Sequence, residues 1–276
     1  MRVAVVGHIE WIEFGRVAAI PKAGEIAHAT DAWEEPGGGG AVAAVQLAKL
    51  AGSCDLFTAV GDDEIGHRAA ARLEQLGVRV HTAIRTEQPT RRAVTLIDPS
   101  GERTITTLGG RLQADGADPL PWELVIDADA AYVCAGDADA FRFARRARVM
   151  VVTSRALDLL AASGVRADVV VGSAHDPAER FDPDRLPAAP PIVVRTEGTD
   201  GGSYESANGS GRYEAATPPG PVVDTYGCGD SFAAGLAYSL GTGHTLQEAL
   251  SFAARCGAAC ATGHGPYEGQ LSPQGS

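Results

Sequence analysis

The residues Asp224-Thr225-Tyr226-Gly227-Cys228-Gly229-Asp230 carry the most chemistry in this 276-residue chain. They follow Pro221-Val222-Val223, read as a short strand, tighten through Gly227, Cys228 and Gly229, and enter an apolar helix from Ser231 onward. A glycine-rich turn feeding a helix N-terminus presents unpaired backbone N–H groups and the positive end of the helix dipole, which together form an anion site. Asp230 is the anomaly there, because a carboxylate at a helix start is otherwise only an N-cap. With glycine on both sides of Cys228, a phosphate and Asp230 can meet at one point. The amides then hold the transferring group while the carboxylate accepts a hydroxyl proton. A second feature is the run Gly37 to Gly40 directly before an apolar helix, where the lack of side chains lets backbone approach a ligand closely.

These residues need a scaffold, and the apolar pattern supplies one. VAVVG (Val3–Gly7) and CDLFTAVG (Cys54–Gly61) read as buried strands, and AVAAVQLAKL (Ala41–Leu50) and HRAAARLEQLG (His67–Gly77) as helices. The rhythm continues through AAYVCAG, a helix around Phe141–Ala147, VMVVTS, ADVVVG and PIVVRTEG, and ends in the helices SFAAGLAYSLG and LQEALSFAARCGAAC. Strand–helix alternation predicts a mostly parallel sheet with helices on both faces, in one domain over 1–276. Residues 91–110 break it, with two β-branched runs about a Pro-Ser-Gly turn, a hairpin signature. With residues 11–36 this hairpin is expected to form a small β-sheet lid over the strand ends.

Composition excludes several classes. At 45% hydrophobic and 21% charged residues the chain has material for a sizeable core and is not disordered. A net charge of −12 argues against nucleic acid and anionic membrane as partners and for a small molecule. No apolar run reaches spanning length, so a cytoplasmic protein is expected. Five cysteines without a CxxC spacing suggest neither a disulfide framework nor a zinc site, and Cys256 and Cys260 read as buried thiols on one helix face.

The motifs together resemble the ribokinase-like (PfkB) carbohydrate kinases. Asp224, Thr225, Gly227, Gly229, Asp230, Phe232 and Gly235 match the family form DTxGAGDxFxxG, with Cys228 in place of the usual Ala. The resemblance implies a three-layer α/β/α fold, ATP as phosphoryl donor, Mg²⁺, Asp230 as catalytic base and the amides of Gly227, Cys228 and Gly229 as the anion hole. The stretch from Pro36 to Gly52 is similar to the family's GGxxxN, which makes Gly38, Gly39 and Gly40 substrate contacts and places Val42 where the sugar-binding Asn usually stands. The usual strand-one Asp falls near Ile12, leaving Glu10 as the candidate acid, with Glu13 and Trp11 beside it.

On the nucleotide side, Thr196, Gly198 and Gly201 match a strand followed by xxGxxG. The family's NxxE, which orders magnesium, falls on Ser173 and Asp176; a register three residues later reads Asp176 to Glu179, and the first is preferred. Ala254 stands at a frequent Asn of the adenine wall, and Asp224 is the ligand to test for a monovalent cation such as K⁺. The resulting expectation is an ATP-dependent kinase of a hydroxyl, preferably a hydroxymethyl, on a sugar or nucleoside-like molecule. A non-catalytic small-molecule-binding regulator is the alternative that the changes at Val42, Ser173 and Ala254 raise. A pyrimidine or vitamin-precursor kinase is another, weakened by the lid hairpin. The exposed hairpin edge gives a physical reason for a homodimer through the lid.

Overall fold

Successive side chains of a strand point to opposite faces, and here that alternation divides the core in two. In β1 (Val3–Val6), Val3 and Val5 enter one apolar cluster while Ala4 and Val6 enter the other. β8 (Ala130–Val133), β9 (Val149–Thr153) and β10 (Val169–Ser173) divide likewise, with Tyr132, Val151 and Val169 on the first face and Val133, Val152 and Val170 on the second. The first face is covered by α1 (Gly39–Ala51), α2 (Glu64–Gln75), α6 (Cys228–Gly241) and α7 (Leu246–Cys260). The second is covered by α3 (Glu123–Ile126), α4 (Ala138–Ala144) and α5 (Leu157–Ser163).

This computed structural model describes residues 1–272. The remaining strands of the main sheet are β4 (Cys54–Gly61), β5 (Val78–Arg85), β11 (Ile192–Thr196), β12 (Gly202–Ser206) and β13 (Gly209–Tyr213). Its order is β13-β12-β11-β10-β9-β8-β1-β4-β5, parallel from β5 through β11 with β12 and β13 added as an antiparallel hairpin. A second sheet contains β2 (Glu10–Arg16), β3 (Asp31–Gly37), β6 (Arg92–Ile97) and β7 (Arg103–Leu108) in the order β3-β2-β6-β7. The expected hairpin is the antiparallel pair β6–β7, whose turn is held by Asp98 Oδ1 accepting from the amides of Ser100 at 2.8 Å and Glu102 at 3.2 Å. The three-layer α/β/α expectation and the separate small sheet are both present.

Some local expectations differ. Residues 221–223 form no strand; Val223 N donates instead to the Ala261 carbonyl at 2.8 Å, so an irregular segment feeds α6. α6 starts at Cys228 rather than Ser231, because Gly227 adopts φ 81° and turns the chain directly into the helix. Of the four-glycine run, Gly37 ends β3, Gly38 is the N-cap of α1 with φ 86°, and Gly39 and Gly40 already belong to the helix. A side chain at Gly40 would meet the Gly7 carbonyl carbon and His8 N at 2.7 Å, so α1 packs backbone to backbone on the β1–β2 turn. No helix of the described residues is long and apolar enough to cross a membrane.

Candidate active site

The first turn of α6 lies where the main sheet meets the small one. Asp224, fully buried, opens it: Oδ1 accepts from Tyr226 N at 2.7 Å, while Oδ2 is buried without a hydrogen-bond partner, and burial raises its pKa against the pull of the Tyr226 and Gly265 amides. The small sheet docks on the same turn. Thr225 donates through N (3.1 Å) and Oγ1 (3.0 Å) to the Gly101 carbonyl, and Arg103 Nη1 donates to Thr225 Oγ1 at 3.0 Å. Arg16 Nη1 donates to the Val223 carbonyl at 3.2 Å, and the Phe14 ring meets the Tyr226 ring edge-on at 5.2 Å.

Among the described residues, the amides of Gly227 and Gly229 have no hydrogen-bond partner, and that of Cys228 reaches only the Thr225 carbonyl, at 3.5 Å. Gly229 is exposed, and a Cβ built there would meet nothing within 4 Å, whereas Gly227 is buried against Val42. Cys228 contributes backbone; its thiol is held far into the protonated range by its hydrogen bond with Cys260 and by burial.

Asp230, in the first turn of α6, is partly buried and points at the glycine run: a Cβ on Gly39 would sit 2.9 Å from its Oδ1. Tyr132 donates its hydroxyl to the same oxygen at 3.4 Å. Burial pushes the Asp230 carboxyl up to about 6, with the charge of Glu179 adding to the rise and His8, Arg103 and the Tyr132 hydroxyl opposing it. A carboxylate with that affinity is poised to take a proton near neutrality.

His8 comes from the turn after β1 and lies against Gly38, whose built Cβ would be 3.0 Å from the ring. Its Nε2 is 3.3 Å from Glu10 Oε1, and Arg91 Nη1 lies 3.2 Å from the same oxygen. Glu10 is buried and its carboxyl is nonetheless held low, since His8, Arg91 and Arg111 together outweigh the cost of burial. Glu13 instead faces outward in an ion pair with Arg92. Trp11 packs under Arg68, whose guanidinium lies 4.5 Å from the ring centroid. Gly38, Gly39, Glu10 and Asp230 are thus brought together.

Gly40, packed on the backbone of Gly7 and His8, falls outside this group, as do two further candidates. Val42 is fully buried beneath the turn, where its Cγ1 would be 2.8 Å from a Cβ on Gly227. Ala254 is buried in the apolar cluster shared by α6 and α7.

At the other side, Ser173 and Thr196 are register partners at the carboxyl ends of β10 and β11. Gly198 (φ 62°) and Gly201 (φ 78°) turn the chain after Thr196, and a Cβ on Gly201 would lie 2.2 Å from the Tyr213 carbonyl oxygen. Asp176 caps a short 3₁₀ turn, Pro177–Glu179, and pairs with Arg155. That turn swings Glu179 back, so that Oε2 accepts from Ser173 N at 2.6 Å and its charge reaches Asp230. Arg155 Nε lies 2.6 Å from Glu179 Oε1. Glu179, the carboxylate of the later register, is thus the one whose charge reaches Asp230. Sequence reasoning also left out His8, Tyr132, Arg91 and Arg103; a polar residue just past the first strand was the available signal for His8, and nothing local marked the others.

The pfkB family carbohydrate kinase profile matches residues 1–273. The chain belongs to the pfkB family of carbohydrate kinases. This pfkB kinase is 29% identical to the ATP-dependent ribose-1-phosphate kinase of Halopiger xanaduensis, over 94% of this chain and 91% of that one. It is 27% identical to the aminoimidazole riboside kinase of Salmonella typhimurium, over 86% of each. Its fold superposes on ribokinase from Thermotoga maritima with a TM-score of 0.79 at 20% identity, covering 99% of this chain and 97% of the other. On Arabidopsis thaliana ribokinase, complexed with ribose and ATP, the TM-score is 0.75 at 20% identity, covering 99% and 96%. The ribokinase-like fold and the kinase class of the pfkB protein are established by these matches.

Proposed function

We propose that the chain transfers the γ-phosphoryl group of ATP to a hydroxyl, preferably a hydroxymethyl, of a sugar or nucleoside-like molecule lying between Gly38–Gly39 and Asp230. The observation that carries this reading is the pairing of a carboxylate lifted to about 6 with partner-free amides in the same helix turn. Asp230 takes the hydroxyl proton as the acceptor oxygen bonds to phosphorus and the bond to the ADP oxygen breaks. The amides of Gly227, Cys228 and Gly229 take up the charge developing on the transferred group. Ser173, Thr196, Gly198 and Gly201 border the nucleotide at the ends of β10 and β11, as ligands of open α/β sheets sit beyond the carboxyl ends of strands.

Among the described residues no cluster of three or more His, Cys, Asp or Glu side chains is arranged for a metal. Glu179 and Asp176, on the turn after β10, would order the waters of an Mg²⁺ ion held mainly by phosphates. When bound, the ion neutralises phosphate charge. The partner-free buried Oδ2 of Asp224 fits a monovalent cation such as K⁺. The outer edge of β7 is exposed along its length, with Ile105 and Leu108 on it, which supports pairing of two copies through the small sheet.

The test is ADP release with ATP and Mg²⁺ across sugars, nucleosides and their phosphates. Turnover with at least one acceptor is expected; ligand binding without turnover for any of them would refute the reading.

A further inference from the structure

Asp230 is held differently from the other buried carboxylates of the chain. Asp55 pairs with Arg79 at 2.6 Å and His81 at 2.8 Å, and its carboxyl falls to about 2. Glu10 takes His8 and Arg91 on one oxygen and is likewise held low. Asp230 has no such ion pair. Among the described residues, the Tyr132 hydroxyl, 3.4 Å from Oδ1, is the one group hydrogen-bonded to its carboxyl. The charges of His8, Arg103 and Glu179 act on Asp230 from the turn after β1, from β7 and from the turn after β10, without a bond to it. Its own charge reaches Arg155, Cys134, Tyr226, Cys260 and Tyr267 in the same way.

A phenol suits a carboxylate that must be fixed and still accept a proton. Tyr132 lies in β8, between β1 and β9 in the middle of the main sheet, with Val5 and Val151 as register partners. Its side chain is buried on the face that α6 covers, so the sheet fixes the donor and the helix fixes the acceptor. Burial and the charge of Asp230 keep the phenol protonated far above neutral pH, so it remains a donor as Asp230 ionises. A guanidinium in its place would pull the carboxyl down, as at Asp55, and leave a poor base. At 3.4 Å the bond is long for O–H···O, which matches a weak pull on proton affinity. Oδ1, so held, is also the oxygen that faces Gly39, whereas Oδ2 has no hydrogen-bond partner and is not fully buried.

We infer that Tyr132 is a positioning residue for phosphoryl transfer: its hydroxyl holds Oδ1 of Asp230 in place and leaves Oδ2 to take the proton of the acceptor hydroxyl. The inference rests on the reading of Asp230 as base given above. Tyr132 acts through Asp230. A carboxylate at a helix start can turn about its side-chain torsions, and holding one oxygen from the sheet fixes the direction of the other, which is what an in-line proton transfer needs.

The test compares wild type, Tyr132→Phe and Asp230→Asn in ADP-release kinetics across pH, with an acceptor that turns over in the panel above, and follows the Asp230 carboxyl by ¹³C NMR titration, assigned by its loss in Asp230→Asn. Phe keeps the buried ring and removes only the hydroxyl, so the fold is expected to persist. At about pH 8, where Asp230 is ionised with or without the hydroxyl, Tyr132→Phe should lower kcat by about 10-fold and leave both KM values within about 2-fold. Because the hydroxyl lowers the proton affinity of Asp230, its removal should move the acid limb of kcat/KM and the carboxyl titration to higher pH. A merely structural role would raise KM or lower Tm without moving either titration. Wild-type kcat in Tyr132→Phe, or a carboxyl titration that stays in place, would overturn the inference, and the NMR reading needs no turnover. Unchanged kcat in Asp230→Asn would refute the base itself, whereas an inactive Asp230→Asn beside a fully active Tyr132→Phe would remove only the positioning role.

Discussion

Replacing Asp230 by Asn separates the cost of the site from its use. The fold raises this carboxyl from an ordinary 3.8 to about 6, chiefly by burial and then by the charge of Glu179. Ionising Asp230 in the native protein is therefore harder by about 2 to 3 kcal/mol, the lower figure allowing for its partial exposure. Between these two values the native state holds a proton that the unfolded chain has lost, so wild-type stability falls as pH rises through about 6. Asn keeps the shape and can still accept from the Tyr132 hydroxyl without carrying charge. Asp230→Asn should thus gain about 2 to 3 kcal/mol at pH 8, raising Tm by roughly 3 to 5 °C for a domain of this size, and the gain should vanish below pH 4. In the same protein kcat should drop by at least about 100-fold, the share of a general base, while nucleotide affinity persists. Thermal melts from pH 4 to 8 with paired kinetics make the check. An unchanged kcat, or a Tm gain independent of pH, would refute the reasoning.

The same ionisation should shape the pH profile. kcat/KM is expected to fall as pH drops through about 6, where Asp230 takes up a proton, and Glu179→Gln should move that limb to lower pH because the Glu179 charge helps raise it; a limb that stays in place would detach Glu179 from the base. Gly40→Ala should destabilise by about 1 to 3 kcal/mol in urea unfolding, since its Cβ would press on backbone atoms of Gly7 and His8 that cannot rotate away. If the partner-free Asp224 Oδ2 holds a monovalent cation, KCl should activate the enzyme relative to tetramethylammonium chloride, and Asp224→Asn should abolish the difference; equal wild-type rates in the two salts would remove the cation from the site.

What could be read from the sequence was whatever is local along the chain. The main sheet was legible because Val3–Val6, Val149–Thr153 and Val169–Ser173 are short apolar runs punctuated by helices. α7 was readable to its ends, where Thr245 and Glu248 form a capping box. The Gly227–Asp230 turn was legible because its amides and the Asp230 carboxyl lie in one stretch. The acceptor side joins residues with no such proximity: His8 follows β1, Tyr132 lies on β8 and Arg91 precedes β6, and only the order of strands brings them together. Motif position also carried no orientation. Val42, three residues along α1 from Gly39, is turned under Gly227 by the packing of that helix. The two carboxylates after β10 show the same limit most sharply. Asp176 and Glu179 are equivalent by spacing to a glutamate motif, and the discrimination comes from the intervening proline, which fixes a 3₁₀ turn. That turn leaves Asp176 as its cap and carries Glu179 back onto Ser173 N, so the charge of Glu179 adds to the burial that raises the carboxyl of Asp230, 51 residues further along the chain.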